Sequence, residues 1–110
     1  MSSLPESVSK FRERYPRIWH AFEQLGAECH EAGPLDEKTR RLVKLALAVA
    51  HRHEGAVHSA VRNALASGVS PDAMRHTALL AVTTIGWPAA FAALTWIEEA
   101  LESQSGPTGV

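Results

Sequence analysis

The amino-acid sequence predicts an all-α protein of about six helices, and three observations carry that expectation. Apolar residues recur at helical spacing in one segment after another, and proline and glycine punctuate those segments. Nowhere do Val, Ile, Thr and aromatic residues alternate with polar ones for the length of a half-buried strand. With 110 residues the chain has the size of one domain, expected over residues 1–102 with a disordered tail at 103–110.

The first helix is expected from Pro5 to Arg14, ending before Pro16 because the residue preceding a proline avoids the helical region. Pro16 opens the second, in which Ile18, Trp19, Phe22 and Leu25 recur at helical spacing, and Gly33-Pro34 stops it. Asp36 is the N-cap of the third, with Leu42, Leu45, Ala46 and Val49 on one face. Its run from Leu45 to Ala50 is apolar all round, which predicts burial on most sides. Helix four carries Val57, Val61, Ala64 and Leu65 on a stripe, and Gly68 sits where a C′ residue would. Ser70-Pro71-Asp72 supplies a cap, a proline at the first position and an acid at the positive end of helix five. That helix runs to about Ile85 and is apolar on more than one face at Ala78 to Val82. Gly86 breaks it, and Pro88 reopens a last helix through Phe91, Leu94, Ile97 and Leu101. Two helices apolar on several faces exceed what one small chain can cover. Their alanine-rich surfaces allow close approach, so a homo-oligomer is expected.

Hydrophobic residues make up 45% of the chain and charged residues 21%, the balance of a globular protein. A formal net charge of −1, with Arg and Lys scattered among Asp and Glu, offers no footprint for nucleic acid or a membrane surface. No segment approaches the roughly 20 apolar residues of a spanning helix, and Met1 to Lys10 does not read as a signal peptide. The single cysteine, Cys29, has no intramolecular partner and reads as a small buried side chain, so a reducing, cytoplasmic setting is expected.

Chemistry concentrates between helices three and four, where His51, His53, Glu54 and His58 gather. His53-Glu54 followed by His58 invites comparison with a zinc-protease helix, but that motif needs histidines four apart. These are five apart, about 140° around the axis, and the reading fails. Glu54 and His58 are four apart and face each other. The carboxylate, favoured by the positive helix end, in turn favours a charged imidazole, giving an acid–base pair. A divalent ion on His51, Glu54 and His58 fits sterically across a bend at Gly55, but no further ligand is evident, and neither metal nor cofactor is expected. Arg40 and Arg41, about three turns earlier, read as a solvated face or as a clamp for a substrate carboxylate. His20, His30 and His76 read as structural. Trp19 and Trp96 read as core or interface, whereas Trp87 lies in the sharp IGWP turn, a place that lines pockets.

Three stretches, LDEKTRRLVKLALAVA, VRNALASGVSPDAMRH and ALLAVTTIGWPAAFAAL, resemble the carboxymuconolactone decarboxylase and alkylhydroperoxidase AhpD superfamily over about Leu35 to Leu101. The resemblance implies an AhpD-like helical bundle assembled as trimers or hexamers whose interfaces enclose the site. The redox branch of that family uses a Cys-x-x-Cys pair, a histidine four residues beyond and a glutamate on the preceding helix. Aligned on VRNAL, those positions hold His53 and Ala56, Ala60 and Arg41. Thiol peroxidase chemistry therefore lacks its nucleophile and its resolving partner. The histidine of the decarboxylase branch also falls on Ala60, and His58 lies two positions earlier.

The resulting expectation is a small-molecule lyase of decarboxylase type. Glu54, His58 and His53 are its catalytic candidates, and Arg41, His51 and Trp87 its substrate contacts. A non-catalytic oligomeric binding module is the alternative, and a peroxidase-related role is a third that the missing cysteines disfavour.

Overall fold

The computed structural model describes residues 5–105, apart from the side chain of Ser105, and six helices occupy them. They are α1 (Glu6–Arg14), α2 (Pro16–Glu31), α3 (Glu37–His51), α4 (Glu54–Ala66), α5 (Pro71–Ile85) and α6 (Trp87–Ser105). The first four residues of the Met1–Lys10 reading lie outside the described residues. Of the expected tail, 103–105 are helical as the end of α6, and 106–110 lie outside the described residues.

Local chemistry sets the ends. Asp36 accepts a hydrogen bond from the Thr39 N–H at 2.8 Å, and that bond holds its carboxyl below the usual carboxylate range. Ser70 accepts from the Ala73 N–H at 3.1 Å, with Pro71 in the first turn of α5. Gly68 ends α4 with φ of 84°, and the Val69 N–H reaches back to the Ala64 carbonyl at 2.9 Å. At the α3–α4 junction the left-handed position falls on Arg52 (φ 58°), whose N–H bonds to the Ala48 and Val49 carbonyls.

The chain divides into two compact units, Met1–Pro34 and Leu35–Val110. In the first, α1 and α2 bury none of their described residues, and Ile18, Phe22 and Leu25 lie exposed along α2. Cys29, expected inside, is exposed. Within that unit a pair of helices has no third layer under which to bury a side chain from α2.

In the second unit, α3 to α6 pack around one core in which Leu45, Val57, Val61, Met74 and Ile97 are fully buried. α3 packs on α4 and α5, and α6 packs on α4 and α5. Alanines 78, 81, 90, 93 and 100 fill much of the rest of that core. Arg75 ties α5 to α6 by a fork on Glu98, Nε to Oε2 at 2.6 Å and Nη2 to Oε1 at 3.0 Å. That fork holds the Glu98 carboxyl below its usual range. The burial expected on most sides of α3 is not reached within this unit, nor are the several apolar faces of α5 covered in it. Leu47 is 64% exposed, Leu79 56% and Leu80 61%, because α4 and α5 cover only part of the α3 surface, and α3 and α6 only part of α5. No helix among the described residues is long and apolar enough to cross a membrane.

Candidate functional site

The junction between α3 and α4 builds the site. His53 is the N-cap of α4, and its Nδ1 accepts the Ala56 N–H at 3.0 Å. That role assigns the ring proton to Nε2. The ring lies parallel to that of His51, with centroids 6.0 Å apart. Gly55 keeps the space clear, since a Cβ there would come within 3.2 Å of His53 Cε1.

Beyond the cap, α4 presents two flanks. Glu54 and His58 face α6, where the His58 Nε2 stands 4.0 Å from Glu54 Oε2 and 3.3 Å from Glu99 Oε1. Ala56 and Ala60 lie about 160° away around the same helix. There they line a groove with α3 of about 530 Å³. Lys44, Leu47, Ala48 and His51 form its α3 wall; Ala56, Ser59, Ala60 and Asn63 form its α4 wall. His51 and His58, grouped by the sequence, thus stand on opposite sides of α4.

Of the other predicted residues, Arg41 lies farther back along α3 and Trp87 stands at the start of α6. Arg41 shares the α3 face of Lys44 and His51, ten residues and about 15 Å before His51. Its Nε donates to Glu37 Oε2 at 2.8 Å and to Ser67 Oγ at 3.2 Å, and the Ser67 hydroxyl donates to the same carboxylate at 2.6 Å. This network ties the start of α3 to the end of α4. Trp87 opens α6, 60% exposed and against Phe91 at 5.6 Å, twelve residues and about 18 Å from Glu99 along the helix.

Sequence reasoning missed Lys44, Ser59, Asn63 and Glu99. The first three carried a signal: Lys44 and His51 are seven apart on α3, and Ser59 and Asn63 four apart on α4. Glu99 carried none, since 41 residues separate it from His58.

A model of the carboxymuconolactone decarboxylase family matches residues 16–99. A solved structure of lpg0406 in its apo form, described as a carboxymuconolactone decarboxylase family protein from Legionella pneumophila, superposes with a TM-score of 0.71 at 27% identity. That match covers 87% of this chain and 88% of the other. An uncharacterized protein of Haemophilus influenzae is 38% identical over 56 residues, 51% of this chain. The aligned region spans 50% of that relative's length.

Proposed function

The chain belongs to the carboxymuconolactone decarboxylase family, and we propose that it is a decarboxylase-type lyase that takes a small carboxylic acid in the α3–α4 groove. One observation carries this reading. Lys44 and His51 line one wall of the groove and Ser59 and Asn63 the other, with apolar side chains between them. Ala56 and Ala60, at the positions the family's second cysteine and histidine take in the alignment on VRNAL, lie in the same groove.

A lysine and a histidine on one wall attract a carboxylate, and the hydroxyl and amide opposite add hydrogen bonds that fix its orientation. Leu47, Ala48, Ala56 and Ala60 suit an apolar body. In the reaction the carboxylate leaves as carbon dioxide. Its bonding pair passes into a conjugated carbonyl of the substrate, where the Lys44 ammonium stabilises the enolate. His51 in its charged form then delivers a proton to carbon. The Glu54–His58 pair faces away from this groove, so His51 takes the acid–base role here. Leu47, 64% exposed, borders the groove, and a second subunit of a trimer or hexamer would close it against water.

The test is a panel of small unsaturated and keto acids, scored for binding by calorimetry and for carbon dioxide release. Turnover in the parent should fall about 10²-fold or more in His51→Ala, and affinity should fall in Lys44→Ala. Unchanged binding and turnover in both variants would overturn the proposal. Binding without turnover in the parent would favour a non-catalytic binding module on the same fold. Light scattering tests the assembly, and a stable monomer at micromolar concentration would remove the closing subunit.

A further inference from the structure

We infer that Glu54, His58 and Glu99 form a binding site for a divalent first-row metal ion of the hardness of Zn²⁺. The site lies on the α6 flank of α4, and the inference does not rest on the groove reading.

The geometry carries the argument. His58 Nε2, Glu54 Oε2 and Glu99 Oε1 all lie within 4.8 Å of one another. With bonds of about 2.0–2.2 Å, two ligands of a tetrahedral zinc ion stand roughly 3.3–3.6 Å apart. The His58–Glu99 separation of 3.3 Å already has that value, and the His58–Glu54 separation of 4.0 Å is about half an ångström longer. Both glutamates are about half exposed, so a rotation about their side-chain torsions closes the remaining gap.

The backbone beneath them is fixed. Val57 and Val61 on α4 and Ile97 on α6 are fully buried in the shared core, so the helix that supplies Glu54 and His58 is locked against the helix that supplies Glu99. A metal ion therefore organises side chains on a frame already in place. One imidazole and two carboxylates also carry the charge of −2 that a divalent cation neutralises. Such a mixed set suits borderline ions over the softest or hardest ones. The side chain of His58 is 29% exposed, so the fourth position opens to water. The sequence offered His51 beside Glu54 and His58; in the structure Glu99 stands where His51 was expected, and His51 lines the groove on the other side of α4.

Zinc titration of the untagged full chain, followed by calorimetry, tests this. The parent should bind one Zn²⁺ per chain, and His58→Ala and Glu99→Gln should each weaken that binding at least tenfold while keeping the parent's helical circular dichroism. A variant with His30, His51 and His53 all replaced by alanine should keep the parent's affinity, which separates this site from those three histidines. Cobalt substitution should give the intense visible absorption of a four-coordinate ion and lose it in Glu99→Gln. Failure of the parent to bind zinc, equal affinity in Glu99→Gln, or loss of binding in the triple variant would each overturn the inference.

Discussion

Replacing His53 by alanine removes the side chain that caps the start of α4, and the structure sets the size of the effect. The lost interaction is one hydrogen bond, from the Ala56 N–H to Nδ1 at 3.0 Å, at an exposed helix end. An N-cap lost to alanine costs about 1 kcal/mol, within a range of roughly 0.5–2. The freed N–H turns to water instead of being buried, which argues against the upper half of that range. For a chain of this size about 1 kcal/mol lowers the melting temperature by roughly 4 °C. Thermal melts followed by circular dichroism measure it, and His53→Asp supplies the control. A carboxylate at the same position accepts the same bond and adds a favourable charge at the positive helix end, so the aspartate variant should melt at or above the parent. A melt of His53→Ala within 1 °C of the parent, or an aspartate variant no better than alanine, would refute the reasoning. If His53 acts in chemistry as well, turnover should fall in both variants while stability falls only in the first.

Three further outcomes follow from the fold. Arg52 is held at φ 58°, where a side chain costs energy that glycine avoids, so Arg52→Gly should raise stability by about 0.5–1 kcal/mol in urea unfolding; a lower midpoint would count against the left-handed junction. Ile97 is fully buried, and Ile97→Ala should cost about 3 kcal/mol in the same assay, with a loss under 1 kcal/mol counting against its place in the core. Glu98 is held below its usual range by its fork with Arg75, so the stability it contributes is complete above the ordinary glutamate range and drains away as pH falls through its lowered folded value. The gap in melting temperature between parent and Glu98→Gln should therefore be widest near neutrality and close below about pH 4; a gap constant down to pH 3 would contradict this.

The fold was legible in the sequence because its boundaries rest on local chemistry. Asp36, Ser70-Pro71, Gly68 and Gly86 act within a few residues of themselves, and each ends or starts a helix where its chemistry dictates. The candidate site was legible in part. That Glu54 and His58 face one another follows from their spacing, and the structure places them 4.0 Å apart. Which flank of α4 meets α6, and which meets α3, depends on packing among helices distant in sequence. The cluster of four residues therefore resolves into a cap at His53, a groove wall at His51 and a pair against Glu99. Arg41 stands about three turns before His51 along α3, as its spacing in the sequence implies, and its partners there, Glu37 and Ser67, are the part that spacing could not give.

The alanines between the helices of the second unit have a consequence for how this chain can change. Ala78, Ala81, Ala90, Ala93 and Ala100 have no rotamers to rearrange, so their contacts lose almost no side-chain entropy on folding and leave no slack for a helix to slide. Any larger residue at these points forces backbones apart. Residues on the outward flanks of α3, α4 and α6 carry no such constraint. Substitutions can therefore accumulate around the groove or beside Glu99 while the axes stay where they are, and a scaffold of this kind can exchange one set of reactive groups for another without being rebuilt.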